Sequence, residues 1–229
     1  MTVRPIQIVA SASAAERLDA AVAFLRQFPA HQPITIVAAT RGAADDVARR
    51  MAIERGATIG LARYSLTQLA ARVALMRLGG RGIAPATALG SEAIAARAAF
   101  DAGRDGTLSY LARVADTPGF PRALARTLGE LRTAGIGADA VAAAGHAGPD
   151  LARLLIRAEE ELAEAATADR AALFAAATEL TPGDASLRHP LLLLDVAIAS
   201  AAEQRFVQAL VAECSSALAT VPAHDQAAR

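Results

Sequence analysis

Short apolar runs alternate with longer stretches of helical period through the first 80 residues, and that alternation sets the expected fold. Ile6-Gln7-Ile8-Val9-Ala10 reads as a short buried strand, and 14–28 as an amphipathic helix with Leu18, Val22 and Leu25 on one stripe. His31-Gln32-Pro33 breaks that helix, and Ile34-Thr35-Ile36-Val37-Ala38 reads as a second buried strand. Residues 43–55 are expected to be helical, with Gly56 ending the helix; Thr58-Ile59-Gly60-Leu61 is a third strand. The next helix covers 66–78 and is closed by Gly79-Gly80. Strands alternating with helices of about a dozen residues predict an α/β fold, a parallel sheet flanked by helices.

The pattern changes after residue 80. From 91 to 180 no strand is legible; helices are expected at 91–101, 108–116, 121–134, 138–144, 149–165 and 169–180. Asp169 is placed to cap the last of these, and Pro149 suits a first helical turn. Leu191-Leu192-Leu193-Leu194-Asp195 then returns to a buried strand, followed by a helix at 199–214 and a strand at 217–221. The expected organisation is an α/β core from 1–80 and 181–229, interrupted by an all-helical insertion at 81–180.

Composition narrows the classes. Of the 229 residues 54% are hydrophobic and 20% charged, the balance of a folded domain; aromatics are 3% and tryptophan is absent, so Leu, Val, Ile and Ala build the core. No apolar run approaches the ~20 residues of a membrane span, and Met1-Thr2-Val3-Arg4-Pro5 lacks the apolar core of a signal peptide. The lone Cys214 reads as a small core residue, and a cytoplasmic location is expected. Net charge is zero, but residues 1–80 carry ten arginines against five carboxylates. A basic first third suits a phosphate-bearing partner; scattered solvated helix faces give the same bias.

The chain contains no lysine: all 23 basic residues are arginine. A strand, a tight turn and a helix at the N-terminus form the frame of a phosphate-binding loop. Such a loop needs glycines for backbone N–H contacts and a lysine for the β/γ-phosphates. Here the turn is Ser11-Ala12-Ser13-Ala14-Ala15. Ser11 and Ser13 are the candidate nucleotide-binding residues of a degenerate loop, with helix capping as their bland alternative. Residues 191–195 have the shape of a Walker B strand with Asp195 as the Mg²⁺ carboxylate, but Val196 stands where a water-positioning Glu would follow. The four histidines (His31, His146, His189, His224) have no metal-ligand spacing, and nothing points to a catalytic triad or a catalytic residue. Glu159-Glu160-Glu161 reads as a solvated helix face and Gly79-Gly80-Arg81-Gly82 as a linker.

Residues 34–50, a strand followed by Thr40, Arg41 and a helix, resemble the second conserved block of superfamily 1 helicases. Residues 58–66 resemble the next block, in which an aromatic follows a strand; here that residue is Tyr64. Phe120–Gly135, Asp150–Leu155, Ala168–Ala171, 191–195 with Ser200–Glu203, and Ala217–Pro222 resemble, in order, the N-terminal helicase-like region of the B subunit of AddAB-type helicase–nucleases. That group is also described as a PD-(D/E)XK nuclease family of double-strand break repair proteins. The resemblance implies a P-loop-type topology with a degenerate loop, and a chain that is the N-terminal portion of a longer protein. It implies DNA contact through Thr40, Arg41 and Tyr64, DNA and a helicase–nuclease partner subunit as partners, and no cofactor in this chain, with Mg-ATP in question. The nuclease motif and its cysteines do not occur in these residues. The expected function is a degenerate helicase-like module that binds DNA or scaffolds. The alternatives are a nucleotide- or cofactor-dependent doubly wound enzyme and a partner-docking module, and for Tyr64 a sheet-edge role.

Overall fold

A computed structural model of the chain describes residues 6–223; the N-terminal pentad and His224 lie outside the described residues. Its elements, in chain order, are β1 (Ile6–Ser11), α1 (Ala14–Arg26), β2 (Ile34–Ala38), α2 (Arg41–Arg55), β3 (Leu61–Ser65) and α3 (Leu66–Gly80). Then follow β4 (Ala84–Pro85), α4 (Ala88–Arg104), α5 (Ala112–Ala115), α6 (Phe120–Ala134), α7 (Ala138–Ala142), α8 (Gly148–Glu164), β5 (Thr167–Ala168) and α9 (Arg170–Leu180). Two 3₁₀ turns, Thr181–Gly183 and Ala185–Leu187, lead to β6 (Leu191–Leu194), α10 (Ala201–Glu213) and β7 (Ala217–Pro222). The described residues form two compact units: 6–73 with 177–199 and 203–223, and 74–176 with 200–202.

The first unit is α/β. Its five strands run parallel in the order β1-β7-β6-β2-β3. Every residue of β2 and of β6 is buried, which is why both read as unbroken apolar runs rather than alternating ones. Ile34, Ile36, Ala38, Leu192, Leu194 and Leu218 meet Ala21, Val22, Phe24 and Leu25 of α1 and Val47 and Met51 of α2 on one face. Alternate positions, among them Leu193, Ala217 and Ala219, line the other face with Val207 and Val211 of α10. Arg55 fastens the end of α1 by donating to the carbonyls of Leu25 and Phe28 (3.1 and 2.9 Å). Arg26 and Glu54 add a two-pronged pair between α1 and α2.

Three local expectations are corrected. β1 is an edge strand, not a buried one: Ile6 and Ile8 are 54% and 61% exposed, because only the α1 side of β1 is covered. The third strand lies at Leu61–Ser65 instead of 58–61. Gly60, at φ +84° and with Pro33 Cα 3.1 Å from where a Cβ would sit, turns the chain into that strand. Tyr64 therefore belongs to the strand rather than following it. Its helix begins at Leu66 because Ser65 and Gln68 cap it reciprocally: the Gln68 N–H donates to Ser65 Oγ and the Ser65 N–H to Gln68 Oε1.

The second unit is helical. Ala95, Ala98, Ala99 and Ala102 of α4 pack with Leu124 and Leu128 of α6, Val141 of α7 and Leu154, Leu155 and Ala158 of α8. The helix expected over 108–116 contracts to Ala112–Ala115. The residues before it are held instead by Asp150, which is fully buried and accepts from the Ser109 N–H, the Leu111 N–H and Ser109 Oγ (2.9, 2.9 and 3.2 Å). Burial opposes the charge on Asp150, but these donors outweigh it and hold its carboxyl below the usual carboxylate range. Asp169 caps α9 through the Ala172 N–H (2.9 Å) and also receives Arg132, which reaches Glu159 as well. β4 and β5 form a two-residue parallel pairing, and of the two only β5 falls within 91–180, where no strand is legible in the sequence.

Candidate functional site

The carboxyl ends of β1, β6 and β7 bring together residues remote in sequence. Open parallel sheets bind ligands outside the carboxyl ends of their strands, where the strand order reverses direction. Here β1 and β6 are separated by β7, so Ser11 and Asp195 stand at the ends of strands on either side of β7. Asp195 follows β6 in the left-handed region (φ +50°), which Asp tolerates better than most residues. Its N–H donates to the Thr220 hydroxyl (3.1 Å), and that hydroxyl donates back to Asp195 Oδ1 (2.8 Å).

The carboxylate of Asp195 faces a guanidinium. Arg17, on the first turns of α1, donates through Nε to Oδ1 (2.8 Å) and through a terminal NH₂ to Oδ2 (3.0 Å). Its other terminal nitrogen donates to the Ser11 carbonyl at 2.6 Å. The Arg17 side chain is 9% exposed, and the bidentate hydrogen bond to Asp195 raises its pKa above the ordinary arginine value. In this arrangement a side-chain cation of the chain itself occupies the position in front of Asp195.

The turn after β1 is equally engaged with itself. Ser13 caps α1 by accepting from the Glu16 N–H (3.3 Å). Ser11 Oγ accepts from the Ser13 N–H (3.0 Å) and donates to Glu16 Oε2 (2.6 Å). A phosphate here would meet the Glu16 carboxylate and two hydroxyls already bonded, with no lysine and no glycine in the turn. Val196, at the position of a water-positioning acid, is buried. The residues present do not fit Mg-ATP. Sequence reasoning singled out Ser11, Ser13 and Asp195 and missed Arg17 and Thr220. A signal for Arg17 was available: it lies four residues before Ala21 and eight before Leu25, on the buried stripe of α1, where a charge needs a partner.

A second cluster lies at β2, α2 and β3. Thr40 ends the β2 segment and caps α2, its Oγ1 accepting from the Ala43 N–H (3.2 Å). The helix start leaves the Arg41 and Gly42 N–H groups outside the helix ladder, and the Arg41 side chain is half exposed. Arg41 and Arg63 both reach Asp45, at 3.5 and 3.4 Å. Arg63 shares a register position with Ile36, on the α1–α2 face of the sheet, whereas Tyr64 pairs with Val37 and points to the other face. The Tyr64 ring lies 5.8 Å from the Arg72 guanidinium, so the structure does not place it beside Arg41.

Among the described residues no group of three or more His, Cys, Asp or Glu is placed to hold a metal ion, and no helix is long and apolar enough to cross a membrane. Cys214 is buried and donates to the Val211 carbonyl. Compared with known proteins, the chain matches no family model and no curated sequence.

Proposed function

We propose that this chain is a helicase-like α/β module that has lost nucleotide turnover and serves DNA binding or scaffolding, as part of a double-strand break repair helicase–nuclease. The observation that carries the loss of turnover is the bidentate Arg17–Asp195 pair. A guanidinium bonded to both carboxylate oxygens, with the Thr220 hydroxyl also on Oδ1, sets a fixed positive charge where a metal ion would have to approach, and the neighbouring serines are engaged by Glu16 and the cap of α1. The DNA-binding part rests on Thr40 and Arg41 at the start of α2, where N–H groups and a guanidinium offer a site to a phosphodiester. The ordered sequence resemblance supplies the biological context.

A phosphate-release assay with Mg-ATP, with and without single-stranded DNA, tests the loss of turnover. The expected result is no release above buffer, unchanged in Asp195→Ala. Robust hydrolysis abolished by Asp195→Ala would sink the proposal. A second reading is favoured by one observation: the exposed Ile6 and Ile8 border an apolar groove of about 200 Å³ with Val196, Ile198, Val207 and Val211. Patches of this kind mark partner-docking faces. A stable complex with the partner subunit in the absence of DNA, lost in Ile8→Asp, supports that reading.

A further inference from the structure

The outer side of α2 holds a cleft that the α2 N-terminus does not account for. It has a volume of about 680 Å³ and lies between α2 and the edge strand β3. Arg41, Asp45, Ala48, Arg49 and Ala52 line it from α2 and Arg63 from β3. These α2 positions fall on one side of the helix, and at 1.5 Å per residue they span roughly 16 Å. The alanines keep the floor open, and the charges stand along the walls.

The charge in the cleft is unbalanced. Three guanidiniums line it against one carboxylate, Asp45, which Arg41 and Arg63 approach together. Arg49 pairs with Asp46 at 2.6 Å, but Asp46 is outside the lining and both side chains are about two-thirds exposed or more. Exposed pairs of this kind are worth little and exchange readily for a stronger anion. Guanidiniums favour phosphate oxygens through paired N–H donors. A cleft of this length suits a chain of phosphates better than one ion.

We infer that this cleft binds the phosphodiester backbone of a nucleic acid strand, with Arg41, Arg49 and Arg63 as the contacts and Asp45 as a restraint on affinity. The inference deepens the DNA-binding part of the proposed function and rests on it. It adds a track along the side of the unit to the contact at the start of α2. Backbone recognition by arginines is sequence-independent, so the track does not discriminate among bases.

Fluorescence anisotropy of a labelled oligo-dT strand, titrated at several salt concentrations, tests the track. Arg49→Ala/Arg63→Ala is expected to weaken binding about tenfold and to lower the salt slope by about 0.7 per arginine removed. Arg49→Lys/Arg63→Lys keeps most of the salt slope. Asp45→Asn, which leaves every arginine in place, strengthens binding severalfold and covers the case in which the double variant does not fold. If the folded double variant and Asp45→Asn both bind like the wild type while Arg41→Ala weakens binding, the track is overturned and DNA binding at the start of α2 stands. If the wild type binds no strand at low salt, both fail. Saturable binding of tripolyphosphate with none of oligo-dT also overturns the strand reading.

Discussion

Arg17 and Asp195 are 178 residues apart in sequence and share two hydrogen bonds. Each is costly without the other. Asp195 would face the end of the sheet uncompensated, and Arg17 would bring a charge onto the apolar stripe of α1. Arg17→Met keeps the stem volume and removes the charge, and Asp195→Asn removes the other. Each is expected to lower Tm by several degrees. The double variant should lose little more than the worse single, because the two residues act as one unit. Strict additivity in that cycle would show that the pair is not coupled. Asp150 supplies a pH signature of a different kind. Its carboxyl is held below the ordinary value, so its contribution is fully present above about pH 3.9 and is lost as pH falls through the lower folded value. Asp150→Ala should cost about 2 to 4 kcal/mol, from buried donors left without an acceptor. Asp150→Asn should flatten the acid limb of a Tm-against-pH curve, and an unchanged acid limb would contradict the assignment.

At the scale of elements, what the sequence makes legible follows from how completely each element is buried. β2 and β6 are enclosed on both faces, so their apolar runs located them to within a residue or two. β1 has the same kind of sequence at a sheet edge, and no local pattern separates the two situations. β3 carries Arg63 and Tyr64 at half-buried positions, which hides the strand from a hydrophobicity reading and shifted its expected place upstream. The short α5 was overextended because the segment before it is held by a carboxylate 39 and 41 residues away, a long-range contact with no local trace. Five residues of the candidate sites are legible in the sequence, because Ser11, Ser13, Thr40, Arg41 and Asp195 sit at element ends that the pattern marks. Arg17, Thr220 and Arg63 become part of a site only once the sheet is assembled. One close approach gives an element-scale test. A Cβ on Gly148 would come within 2.5 Å of the Val141 carbonyl oxygen and 2.9 Å of that of Ala142. Gly148→Ala must push α7 from α8, at a cost of about 1 to 3 kcal/mol. Denaturant unfolding measures it, and a wild-type midpoint would mean the helices are not that close.

For the whole molecule, the proposed function separates nucleotide turnover from strand binding. The crevice at the ends of β1, β6 and β7 is closed by the chain's own Arg17 and Glu16, while the start and outer side of α2 present guanidiniums to solvent. Nucleic-acid contact should therefore be independent of nucleotide. The measurement that tests this most directly is the anisotropy of a labelled single strand titrated with this chain, at low and high salt, with and without Mg-ATP. Binding is expected to fall steeply with salt, to weaken in Arg41→Ala and to give superimposable curves with and without Mg-ATP. A shift in affinity on adding Mg-ATP would contradict it, because it would require a nucleotide site that Arg17 does not fill.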